Sequence, residues 1–345
     1  MAQKDWNAGI IRPVPVAPAG PYQDGAAPGV WTLDQVAYWQ KQGLWPVAGN
    51  AAPRGIFGGG TITGPVIQNV INYISIPTTG NATDFGDLAE NRRYPATLAS
   101  TTRGIFAGGN DGAGTIYASI TYITILTLGN STNFGDLTAS TTSPAGCSSS
   151  TRGIIGGGLR SFAETNVIDY ITIATTGNAL DFGDLTQTTN MLASCSSPTR
   201  GLFGGGNSGG AYTNVISYIT IASVGNATDF GDLTVARGDW RPTACSSSTI
   251  GLFAGGYAAT ATNIIDYVTI ASTGNAIDFG DLISGIGNLA ACSSTVRGVF
   301  GGGEPYTNVI QYVTIASVGN AIDFGDLLYA PKELGGLSNN SGGVQ

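Results

Sequence analysis

Residues 51–345 are written in short apolar runs separated by short polar punctuation. The clearest run, Val215 to Ala222 (VISYITIA), is rich in β-branched and aromatic residues and apolar on both alternating faces, which predicts a strand in a sheet covered on both sides. Three further strand-like pieces surround it: Leu192-Ala193-Ser194-Cys195, Gly201-Leu202-Phe203, and Asp229-Phe230-Gly231-Asp232-Leu233. Ser-Thr-Arg-Gly, as at 150–153, is short enough for a hairpin between the first two strands, and Thr-Gly-Asn-Ala, as at 176–179, turns the third into the fourth. The triple glycine after the second strand keeps side chains away from a neighbouring backbone. No copy sustains a 3.6-residue period, so this region is not helical.

The pattern is written six times. The first glycine of each Arg-Gly step (Ile-Gly in one copy) falls at Gly55, Gly104, Gly153, Gly201, Gly251 and Gly298, at intervals of 49, 49, 48, 50 and 47 residues. A period of this length marks a propeller or solenoid. The first copy has no first strand before Arg54, whereas Glu333 to Asn340 align with Asn288 to Thr295 and put Leu337 at a position held by cysteine in four copies and by Leu98 in another. The C-terminal strand is therefore expected to complete the first unit.

The glycine runs after an apolar pair (Ile56-Phe57-Gly58-Gly59-Gly60, Leu202-Phe203-Gly204-Gly205-Gly206), the strand tyrosines Tyr170, Tyr218, Tyr267 and Tyr312, and the aromatics Phe182, Phe230, Phe279 and Phe324 resemble the kelch repeat over about residues 50–345. Phenylalanine stands where kelch units usually carry tryptophan. The resemblance implies an all-β fold: a six-bladed kelch-like β-propeller of four-stranded antiparallel blades. It implies no particular activity.

Residues 1–50 read differently. Pro13, Pro15, Pro18, Pro21 and Pro28 suggest an extended arm. Thr32 and Gln35 then form a capping-box signature, and Gly43 with Leu44 a helix stop, for a short helix of about ten residues. Two readings stand for this helix with its Trp31, Leu33, Trp39 and Trp45: packing on the propeller flank, or docking to a larger assembly. The string Gly29 to Gln35, closing with Gly43-Leu44-Trp45-Pro46, is similar to a segment common in structural and tail-fibre proteins of marine bacteriophages. That resemblance implies a virion protein attached to other virion proteins through residues 1–50, located on the phage tail or capsid surface and assembled in the host cytoplasm.

Charge adds exclusions. The net charge is −8, and eleven of the 22 acidic residues belong to the repeated Asp-Phe-Gly-Asp segment. No clustered Lys and Arg are present for phosphate neutralisation, so nucleic acid is not expected as a partner. No apolar stretch reaches 18 residues and the N-terminus lacks a signal-peptide core, so no membrane insertion or secretory export is expected. Cys147, Cys195, Cys245 and Cys292 each lie five residues before the Arg or Ile of the turn, one per repeat. That spacing places them a blade apart, as buried hydrophobes and not disulfides.

The chain contains no histidine, which removes Ser-His-Asp and Cys-His catalysis and His-based metal sites. The paired aspartates, on opposite faces at strand spacing, are assigned structural roles: accepting turn N–H groups and pairing with the repeat arginines. Calcium in each turn is the alternative. No enzyme activity, cofactor or metal is expected.

Variation among copies is confined to the loops joining strands two to three and four to one, which share one face. That face collects Arg92, Arg93, Tyr94, Tyr117, Arg160, Phe162, Tyr212, Arg237, Trp240, Arg241, Tyr257 and Tyr306. Aromatic rings beside arginines suit stacking on sugars and holding anionic groups. The expected function is a non-enzymatic tail fibre or capsid appendage displaying a host-surface glycan-binding face, with Trp240 as the leading contact. A purely structural decoration protein and a polysaccharide-acting enzyme are the alternatives, and a homo-oligomer is possible for a fibre.

Overall fold

A computed structural model describes residues 52–344 together with Thr32, Asp34, Gln35 and Tyr38. The chain divides into two units between Pro53 and Arg54. In the first, Asp34, Gln35 and Tyr38 are helical. Thr32 N–H donates to Gln35 Oε1 at 2.9 Å and Gln35 N–H to Thr32 Oγ1 at 3.3 Å, the reciprocal pair of a capping box. Trp31, Leu33, Trp39 and Trp45 lie outside the described residues.

The second unit is all-β, built from six four-stranded antiparallel sheets in sequence order. The third is representative: Ala145–Ser148, Arg152–Gly156, Val167–Thr172 and Leu180–Asp184. The first is the exception. There Gly335–Ser338 pairs antiparallel with Arg54–Gly58 and places Leu337 opposite Ile56, as Cys147 lies opposite Ile154 in the third. The C-terminal strand thus occupies the place its alignment predicted.

Each sheet is covered on both faces, which explains the apolar character of both faces of the third strand. Every apolar cluster draws on two sheets: Phe203 of the fourth packs among Ile154, Ile168 and Phe182 of the third. Phe57 of the first likewise packs among Val299, Ile310 and Phe324 of the sixth. Burying one such phenylalanine contributes roughly 1.5–3 kcal/mol.

Neighbouring sheets are joined by a repeated set of polar contacts. At the junction of the first and second sheets, Gly129 N–H donates to Phe85 C=O and Ser131 N–H to Asp87 C=O, at 2.9 and 2.8 Å. Asn130 Oδ1 accepts Asp87 N–H at 3.0 Å. The same three bonds recur at the other junctions, where the amides of Asn178, Asn226, Asn275, Asn320 and Asn81 take the place of Asn130. The last of these joins the sixth sheet to the first. The Gly-Asn turn therefore does more than reverse the chain: it clips onto the outer strand of the preceding sheet. Gly86, at φ 144°, lies where this turn arrives, and a Cβ there would come within 2.6 Å of Gly129 O.

Two expectations about the frame need correcting. The repeat arginines do not pair with the repeat aspartates. Arg103, for example, stacks 4.7 Å from the Tyr122 ring centroid and donates to Ile173 C=O of the next sheet at 2.9 Å. A guanidinium over an aromatic face, with a carbonyl to satisfy it, is stable without a carboxylate. The two aspartates also do not face opposite ways. A bulge in each outer pairing sets Asp84 opposite Asn72 and Asp87 opposite Val70, so three steps on the outer strand match two on its partner and alternation returns both acids to one side.

Candidate functional site

The first strands of all six sheets line one cavity of about 80 Å³. This is well below the roughly 300–1,000 Å³ typical of small-molecule sites. At one end a serine ladder runs between strands: Ser148 Oγ donates to Ala99 C=O, Ser196 Oγ to Ser148 C=O, Ser246 Oγ to Ser196 C=O, Ser293 Oγ to Ser246 C=O and Ser338 Oγ to Ser293 C=O, at 2.6–2.8 Å. The 3₁₀ turn Gly342–Val344 packs against these serines so closely that a Cβ on Gly343 would overlap Ser148 O. At the other end Arg241 of the fifth sheet reaches across to Pro95 C=O beside the second, 3.3 Å away. Its pKa is pressed down to about 10 by burial, opposed by Tyr94 and Glu333. The six first strands thus surround one small space, bounded by the serine ladder and by Arg241.

Besides Arg241 at the cavity and Phe162, which stands apart, the twelve expected contact residues fall into three groups. Arg92 and Arg237 are withdrawn, because neither exposes any surface. Arg237 pairs with Asp266 at 2.8 Å with both side chains enclosed, and also donates to Phe253 C=O at 3.1 Å. Arg92 pairs with Glu90 and donates to Ser119 C=O at 3.0 Å, beneath the Tyr117 ring. Burial lowers the pKa of both guanidiniums. Arg160 plays the corresponding part in the third sheet, reaching Asp169 at 2.8 Å. Three of the loop cations thus tie their loops to a sheet.

A second group surrounds Glu333. Tyr94 Oη donates to Glu333 Oε1 at 2.9 Å, while Arg93 and Thr61 Oγ1 both donate to Oε2, at 3.1 and 2.7 Å. The Tyr94 phenol is pushed up by burial and by the Glu333 charge. Nearby, Lys332 pairs with Glu304 and lies 4.7 Å from the Tyr306 ring centroid. These contacts satisfy one another, and Arg93 also lines a second cavity of about 330 Å³ with Asn91 and Asp111.

The third group is open. Tyr257 stands between Trp240 and Tyr212, with ring centroids 5.2 Å away at 58° and 6.1 Å away at 84°. All three rings are half-buried, and Asp239 beside them is exposed. Asp239 Oδ2 accepts Tyr212 Oη at 2.6 Å, and Oδ1 accepts Asn207 Nδ2 at 2.8 Å. Asn207 Oδ1 in turn accepts Asp239 N–H at 3.0 Å. The Asp239 hydrogen bond, then partial burial, pushes the Tyr212 phenol up to about 12. Phe162 is 77% exposed at the tip of a separate hairpin and joins no cluster.

The sequence reading missed Asp239, Asn207 and Glu333. A signal for Asp239 was present. Eighteen residues separate Leu233 from Gly251, against sixteen in each of the other four such segments, such as Leu185 to Gly201. The insertion comes after Asp239, which like Tyr94, Ser143, Met191, Asn288 and Glu333 is the left-handed residue six positions beyond the repeat leucine, and it adds Trp240 and Arg241 next to it.

For a calcium site, the turn amide oxygens that would be ligands already accept backbone N–H groups. Among the described residues no three carboxylates or thiols converge on a point that could hold a metal. No helix there is long and apolar enough to cross a membrane.

No protein-family model matches the chain, and no curated protein matches it.

Proposed function

We propose that the six sheets are the blades of a closed, kelch-like six-bladed propeller, and that the chain is a non-enzymatic phage virion component. It is a tail fibre or capsid appendage, held to other virion proteins by residues 1–50 and binding host-surface glycan through its variable end. Closure is supported by the pairing of Gly335–Ser338 with Arg54–Gly58 and by the same clip between the sixth and first sheets as between the others. The virion assignment rests on the segment at 29–46.

The observation that carries the binding reading is the aromatic group Tyr212, Tyr257 and Trp240 with its exposed carboxylate. Rings held by packing present a stacking surface at little entropic cost. A non-enzymatic role fits the absence of histidine, the small hub cavity, and the commitment of Glu333 and Asp266 to arginines.

Quantitative mass spectrometry of purified phage particles tests the location, with a few to a few dozen copies expected per particle. Pull-down of the full chain by intact host cells tests adhesion. Presence in particles without cell binding leaves a structural decoration protein, and absence from particles rejects the virion reading.

A further inference from the structure

Resting on the glycan-binding reading, we infer that Trp240, Tyr257, Asp239 and Asn207 form one sugar subsite selective for uncharged sugars bearing adjacent free hydroxyls. The loop is built around this cluster. It carries the two-residue insertion found in no other repeat, which follows Asp239, the left-handed residue every repeat has six positions after its leucine, and adds Trp240 beside it. A non-glycine residue in the left-handed region is held there by its surroundings. The reciprocal Asp239–Asn207 pair, in which each side chain satisfies the other residue at 2.8 and 3.0 Å, fixes where the carboxylate lies. Gly287 gives the room required, since a Cβ there would come within 2.4 Å of Trp240 Cβ.

The chemistry then selects the ligand. Asp239 spends one lone pair per oxygen on Tyr212 and Asn207. As an exposed carboxylate it has others left, and a carboxylate with open acceptor sites takes two O–H donors from neighbouring hydroxyls. The half-buried Trp240 and Tyr257 rings offer an apolar surface of the size of a pyranose C–H face. A uronate or sialate would bring a second negative charge to Asp239 with no cation beside it among the described residues: Arg237 is enclosed with Asp266 and Arg241 points to Pro95. Like charges at close range disfavour such a ligand.

The test is calorimetric titration of the full chain with neutral oligosaccharides ending in glucose, galactose or mannose and with the matching uronate-ended oligosaccharides. At least one neutral probe is expected to bind, with its uronate counterpart tenfold or more weaker. Trp240→Ala and Asp239→Asn should each weaken that binding tenfold or more at unchanged melting temperature, and Trp240→Phe should retain most of it. Equal or tighter binding of the uronate, or neutral-sugar binding indifferent to both Trp240→Ala and Asp239→Asn, overturns the subsite. If the chain binds host cells but none of the neutral probes, this subsite falls while adhesion stands. If it binds neither cells nor sugars, the glycan-binding reading falls with it.

Discussion

Cys292, on the first strand of the sixth sheet, lays its Sγ in the space that a Cβ on Gly55 of the first sheet would need, 2.5 Å from it. The same seat is filled in turn by Cys147 against Gly201, Cys195 against Gly251, Cys245 against Gly298, Leu98 against Gly153 and Leu337 against Gly104. Gly55→Ala should overpack this contact and cost about 1–3 kcal/mol. Adding Cys292→Ala should return part of the loss, because Ile74 also lies within 2.9 Å of the new methyl. Urea melts of the two single variants and the double variant measure the coupling.

The thiols themselves should be silent. All four are buried and free, and desolvation pushes each upward, Cys245 to about 12. At pH 8 Ellman's reagent should find no reactive thiol in the folded chain and four after denaturation.

Arg237 and Asp266 form an enclosed pair, with Thr234 Oγ1 also donating to the carboxylate at 2.6 Å. Arg237→Ala leaves that carboxylate buried without its cation and should cost about 3–5 kcal/mol in chemical denaturation. Combining Arg237→Met with Asp266→Leu should recover most of the loss.

Removing residues 333–345 deletes the strand that completes the first sheet and exposes the edge of Arg54–Gly58. The expected result is loss of the cooperative thermal transition. A truncated chain that melts like the parent would show that the first sheet does not depend on its C-terminal strand.

Tyr212 should titrate late. Its phenol is held protonated by donation to Asp239, which raises it from the ordinary 10 to about 12. The folded-state pKa lies above the unfolded one, so this stabilisation is fully present below about pH 10 and is lost as pH rises through about 12. Ultraviolet difference titration should show a late-titrating tyrosine in the parent that moves to lower pH with Asp239→Asn.

The sheets and the order of their strands were legible because they depend on local pattern: β-branched runs, Gly-Asn turns, and a Leu337 that aligned with a cysteine. What periodicity cannot give is the identity of a partner in the next repeat. Arg103 carries nothing in its own unit to say that it serves Ile173 rather than an aspartate. Nor could composition separate Arg237, which turns inward to Asp266, from Trp240 three residues later, which turns toward Tyr257. The distinction depends on a third-strand residue that is Asp in two repeats and Asn, Thr, Ser or Gln in the others. Asp239 escaped for a different reason: its role comes from its partners Asn207 and Tyr212 in another loop, which a list of residue types does not register.

The Gly-Asn clip has a consequence for inheritance. It uses backbone groups and one asparagine amide, the same at each junction, so a repeat copied or exchanged by recombination meets familiar neighbours wherever it lands. The loops at the other end join sheets through contacts of their own, such as those of Tyr94 and Thr61 to Glu333. A gene of this design can therefore exchange whole repeats at this contact, while loop pairs such as those of Tyr94 and Glu333 have to change together.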